Sequence, residues 1–184
     1  MDQAHSLRKL VKKKNKLIFV LTSESYKYNE EFCQRFVKYL DKATYIKAED
    51  ENEVKEAVTQ NEFDFYVVDV KDFSFLELFD NFDMDVIALT DNSNESILGI
   101  YSQIKLLLSR NIFNARDNII KLVIGPVTYS SVAERTKANI SHALETYLKY
   151  SVRYLGWFSE NGESLDKVTL RYLESGGNHV ENDG

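Results

Sequence analysis

Glycine is scarce in this chain, with seven in 184 residues, and cysteine and proline occur once each. A lone Cys33 excludes an intrachain disulfide, so a cytoplasmic location is expected, with Cys33 itself as a small buried hydrophobe. The three histidines, His5, His142 and His179, lie far apart with no second ligand at metal-site spacing, and no metal is assigned. No apolar run approaches the ~20 residues of a membrane helix, and the lysine-rich N-terminus lacks the apolar stretch of a signal peptide. A net charge of −6 gives no general electrostatic reason to bind nucleic acid or an anionic membrane. What remains, 43% hydrophobic and 28% charged, suffices for one domain with a sizeable core.

The apolar run Leu17 to Ser23 reads as the first strand of a parallel sheet, buried on both faces. Behind it, strands are expected at Thr44–Ile46, Phe63–Val70, Asp85–Thr90, Ile119–Ile124 and Val152–Phe158. Helical spacing of apolar residues fills the gaps. Phe32, Phe36, Val37 and Leu40 mark one helix, Val54, Ala57 and Val58 a second, and Ile97 to Leu108 a third. Ala133, Ile140, Leu144, Tyr147 and Leu148 mark a fourth, and Leu165, Val168, Leu170 and Leu173 a last one. Phe73 to Phe79 is a short apolar helix or loop. Alternation of this kind predicts a three-layer α/β fold with a mostly parallel central sheet flanked by helices. It sets Ser23, Asp69, Thr90 and Gly125 along one edge. Residues 1–16 form an amphipathic arm, with Ala4, Leu7, Leu10 and Val11 on one stripe, followed by a solvated basic linker, Lys12 to Lys16. Residues 17–175 are the domain, and 176–184 a polar, disordered tail.

The loop after the first strand is Glu24-Ser25-Tyr26-Lys27-Tyr28-Asn29-Glu30-Glu31, and it has no glycine. A phosphate-cradling loop needs backbone N–H groups converging on the anion, with a lysine and a Ser or Thr behind them. Here two carboxylates, Glu30 and Glu31, stand at its end instead. Tyr26 and Tyr28 read as exposed loop tyrosines, and the whole as a nucleotide-binding scaffold without its nucleotide site.

Several segments together carry a family resemblance. Lys121-Leu122-Val123-Ile124, a long helix, and Tyr154-Leu155-Gly156-Trp157-Phe158-Ser159-Glu160 resemble the C-terminal half of MinD/ParA-type ATPases. Asp2-Gln3-Ala4-His5-Ser6-Leu7-Arg8 resembles the "D-Q-A-x-x-L-R" arm of one branch, the flagellar-number regulator FlhG, also called YlxH. The chain is shorter than that family between the first helix and the Asp69 strand. Laid against the family's "G-K-G-G-x-G-K-[ST]", its glycines fall on Glu24, Tyr26, Lys27 and Asn29, and the signature lysine on Ser25. The phosphate lysine falls on Glu30 and the Mg²⁺ serine on Glu31. The switch aspartate matches Asp69, with Lys71 and Phe73 replacing the glycines behind it, and the adenine-reading asparagine falls on Gly125.

The resemblance thus implies a pseudo-ATPase that has lost ATP and Mg²⁺ binding, and with them the nucleotide-dependent dimer, leaving a monomer. Its end, Asn178 to Gly184, lacks the family's amphipathic membrane anchor. What the resemblance preserves is the arm. In the FlhG branch this helix docks on the SRP-type GTPase FlhF and stimulates its GTP hydrolysis. That role falls on Gln3, whose amide can orient an attacking water, with Asp2, Ala4, Leu7 and Arg8 holding the helix. FlhF, and beyond it basal-body proteins of the flagellum, are the implied partners, reached from the cytoplasm at the cell pole or flagellar base. Two other readings stand beside this one. Asp69 and Thr90 could serve as phosphate acceptor and sensor of a response-regulator receiver, though only one carboxylate follows the first strand. Alternatively the domain is a pure interaction scaffold.

Overall fold

The computed structural model describes residues 15–47, 49–112 and 119–177. The arm, with Asp2, Gln3, Ala4, Leu7 and Arg8, and the tail beyond Gly177 lie outside them.

Six strands form one sheet: β1 (Lys16–Leu21), β2 (Ala43–Ile46), β3 (Phe65–Val70), β4 (Met84–Thr90), β5 (Lys121–Ile124) and β6 (Arg153–Trp157). Their order is β2-β3-β1-β4-β5-β6, and every pairing is parallel. The helices are α1 (Asn29–Lys38), α2 (Glu51–Gln60), α3 (Asn94–Ser109), α4 (Ser130–Leu148) and α5 (Leu165–Gly177), with a 3-10 helix at Phe73–Phe79. The expected α/β three-layer architecture is therefore observed. Helix starts follow local chemistry: Asp50 accepts from the Glu53 N–H and Ser93 from the Ser96 N–H, each satisfying an otherwise unpaired donor.

Strand alternation splits the core cleanly into two layers. Leu17, Phe19 and Leu21 face α2, the 3-10 helix, α3 and α4, through Val54, Leu76, Ile104 and Leu144. Ile18 and Val20 face α1 and α5, through Phe32, Phe36, Val168 and Tyr172. Cys33 is buried in the second layer. Because the chain leaves β1 for one face and β3 for the other, a crevice opens between these adjacent strands at their carboxyl ends. Open α/β sheets place their ligands in such crevices.

Four expectations need correction. Lys16 is not part of a solvated run, since it opens β1 and pairs with Asp85 at 3.3 Å. Tyr147, Leu170 and Leu173 are exposed rather than core. In α5, Thr169 and Tyr172 are buried instead, because the strip facing the sheet is offset from the leucines. The final helix also continues to Gly177, two residues beyond the expected domain end. Lastly, the sheet order disfavours a receiver. That fold runs 2-1-3-4-5 with β1 beside β2, whereas here β1 lies between β3 and β4. Asp69 and Thr90 therefore sit on strands separated by β1, and the Thr90 hydroxyl is occupied by Ser96 at 2.8 Å.

Candidate functional site

The carboxyl edge gathers the loop after β1 and the ends of β3, β4 and β5, as the sequence predicts for Ser23, Asp69, Thr90 and Gly125. The occupants of this edge differ from expectation in one main respect. Tyr26 is not an exposed loop residue but 1% exposed, packed in the α1–α5 layer with Phe32, Leu89, Val123 and Phe158. Its hydroxyl donates to the Gly125 carbonyl at 2.7 Å. Since β4 lies between β1 and β5, the side chain bridges two strand spacings, about 10 Å of sheet edge. Burial, ahead of the nearby Asp91 carboxylate, pushes the phenol far above its ordinary pKa, so it stays a neutral donor.

The loop's backbone polarity is turned around as well. Lys71, just past β3, donates from Nζ to the Tyr26 carbonyl at 2.6 Å and to the Glu24 carbonyl at 3.3 Å. A phosphate cradle collects N–H groups around an anion. This loop collects carbonyl oxygens around an ammonium. Gln103 of α3 fixes the lysine's own segment, donating to the Lys71 carbonyl and accepting from the Phe73 N–H, both at 3.0 Å.

Asp69 faces α1, where it accepts from Asn29 Nδ2 at 2.6 Å and from the Tyr45 hydroxyl at 3.1 Å. Burial and then the Asp69 charge raise the Tyr45 pKa, which keeps its proton in place as well. Glu30 and Glu31 occupy the first turn of α1, where their charge complements the helix dipole. Glu30 takes Lys47 at 3.1 Å and Glu31 takes Arg35 at 2.7 Å. The Glu30 contact raises the Lys47 pKa. Ser25 stands 3.0 Å from the Ser23 hydroxyl, and Glu24 is exposed at the turn. Gly125 has no room for a side chain: a Cβ there would lie 2.5 Å from the Phe158 ring. The "Y-L-G" glycine has a similar reason, because Gly156 adopts φ +135°, a conformation L-residues avoid.

Beside the tyrosine an open cleft of about 530 Å³ is lined by Lys27, Lys47 and Lys71 against Glu30, Glu49 and Asp69. Its charge is mixed. Among the described residues no group of three or more His, Cys, Asp or Glu side chains could hold a metal ion, and no helix is long and apolar enough to cross a membrane. A nucleoside triphosphate with Mg²⁺ fits this edge poorly. In place of a cradle of N–H groups the loop presents Glu30, Glu31 and two carbonyls held by Lys71, and the Tyr26 side chain spans from the end of β1 toward β5.

Sequence reasoning placed the edge, but did not foresee Tyr26 as a buried bridge, Lys71 as a loop clamp, or any part for Tyr45 and Gln103. Only Lys71 had a signal, as a cation displacing a switch glycine.

No protein-family model matches the chain, and no curated protein matches it. Among solved structures, the MinD cell division protein of Aquifex aeolicus is similar to it with a TM-score of 0.51 at 13% identity, over 84% of this chain and 86% of that one. The MinC:MinD cell division protein complex of the same organism gives 0.51 at 13% identity, over 87% and 89%. A plasmid partition protein from Borrelia burgdorferi reaches 0.45 at 15% identity, over 94% and 91%. The chain accordingly has the MinD-type α/β fold.

Proposed function

We propose that this protein is an ATP-independent relative of FlhG, a pseudo-ATPase whose MinD-type domain carries an N-terminal arm to an FlhF-type GTPase. The observation that carries ATP independence is the bridge from Tyr26 to Gly125 together with the Lys71 clamp on the loop carbonyls. The Tyr26 ring and hydroxyl are committed to Gly125, and the Lys71 ammonium, the one group of the pair that would attract an anion, is already spent on carbonyl oxygens of the loop. The partner rests on the arm's resemblance, Asp2-Gln3-Ala4 through Leu7-Arg8. Gln3 acts in trans by orienting the water that attacks GTP, a task that needs position and one amide rather than any chemistry of the carrier.

The test is GTP turnover by purified FlhF with and without the full chain, beside a Gln3→Ala variant. Stimulation lost in the variant, and unaffected by added ATP, is the expected outcome. Unchanged turnover with binding intact would shift the reading to a competitor or scaffold. Calorimetric titration with ATP·Mg²⁺ should show no binding.

A further inference from the structure

The face opposite α1 and α5 carries an apolar groove of about 390 Å³ between α3 and α4, lined chiefly by Ile97, Leu98, Tyr101, Ile140, Ala143 and Tyr147. Leu98 is 66% and Tyr147 75% exposed, although both belong to helices whose other side fills the core. Large apolar side chains grouped around a concavity mark a docking surface.

Three observations point to the occupant. First, α3 and α4 follow parallel strands and run back to the amino edge of the sheet, ending at Ser109 and Leu148. The chain enters β1 at the same edge, and the Asn15 amide donates to the Val58 carbonyl of α2, which packs on the groove's side of the sheet. Second, residues 2–11 carry an apolar stripe of Ala4, Leu7, Leu10 and Val11 that needs a partner surface. The four steps from residue 11 to Asn15 span at most about 14 Å, and a ten-residue helix adds about 15 Å, enough to run lengthwise along this helix pair. Third, the intervening Lys12-Lys13-Lys14 leaves an edge where Asp80 and Asp83 are exposed, with charge of the opposite sign.

We infer that residues 2–11 dock as an amphipathic helix in the α3–α4 groove of their own chain. Release of the arm then precedes its capture by any partner. This inference concerns where the arm rests, so it is read without the partner and can fail or hold independently of the GTPase reading.

The test uses the full chain carrying Leu7→Cys with Ala143→Cys, the native Cys33 being buried. Mild oxidation should close an intramolecular disulfide at a rate independent of protein concentration. A control pair, Leu7→Cys with Leu170→Cys on the opposite face, should close far more slowly. Equal rates for the two pairs, or disulfides that form only between copies, would overturn the proposal. In a second arm, Leu98→Asp should speed tryptic cleavage at Lys12 to Lys14 by about tenfold, the factor that accompanies about 1.4 kcal/mol of docking energy. Cleavage at the parental rate would equally refute it.

Discussion

Two aspartates at opposite edges of the sheet face the same helix layer and are treated differently. At the amino edge Asp85 is met by Lys16 and Lys121, each at 3.3 Å, and by the Tyr172 hydroxyl at 2.7 Å. At the carboxyl edge Asp69 receives, among the described residues, only the neutral donors Asn29 and Tyr45 and borders an open cleft. Burial separates the two cases. With its side chain 8% exposed, Asp85 must be compensated by charge, and α5 is fastened to the sheet through it. Half-buried Asp69 keeps part of its hydration and can be held by dipoles. Burial raises the Asp85 pKa, but Lys121, Tyr172 and Lys16 outweigh it and leave the carboxyl below its ordinary range. Lys121 shares that single carboxylate with Lys16, so burial prevails and lowers its own pKa. The amino edge is thus a structural knot, while the carboxyl edge is bridged by Tyr26 and borders a polar cleft.

Breaking the knot should have the largest effect. Asp85→Ala leaves two cations without their carboxylate and should lower unfolding free energy by about 3–5 kcal/mol in chemical denaturation. Asp85→Leu combined with Lys121→Met should recover much of that loss, since an apolar pair of similar volume leaves no buried charge stranded. Next comes Gly125→Ala, whose methyl would press on the Phe158 ring and carbonyl, for about 1–3 kcal/mol. Tyr26→Phe keeps the ring but strips the Gly125 carbonyl of its donor, with an expected loss of about 1 kcal/mol and no gain of ATP binding. The smallest effect belongs to Tyr45→Phe, which leaves Asp69 with Asn29 and solvent, at roughly 0.5 kcal/mol.

Acid sharpens the same comparison. The Asp85 pKa is depressed in the folded state, so its contribution is complete above the ordinary carboxylate value near 3.9 and is lost as pH falls through the lower folded value. Thermal unfolding followed from pH 6 to pH 2 should show stability declining below about pH 4. In Asp85→Asn that part of the slope should vanish, whereas in Tyr45→Phe it should remain.

How much of this was legible beforehand follows from how each residue is constrained. Strands such as Leu17 to Leu21 declare themselves because both faces are buried and every position must be apolar. Helix faces were read less well: Leu170 and Leu173 look like core by residue type, yet Thr169 and Tyr172 are the buried pair. A helix one turn from its strand can rotate by one position without changing its hydrophobic count. Tyr26 was read as exposed because loop residues have no periodicity to betray their direction.

The amino-acid sequence by itself determined the alternation of strands and helices, the edge along which Asp69 and Gly125 both lie, and the absence of a glycine-rich cradle, since each follows from local composition and period. Only the tertiary structure decided what fills that edge. Tyr26 reaches Gly125 across β4, Lys71 reaches back to the carbonyls of Glu24 and Tyr26, and Asp85 draws together β1, β5 and α5. These contacts join residues 36 to 99 positions apart in the chain, and strand order, which no local pattern encodes, is what brings them within hydrogen-bonding distance.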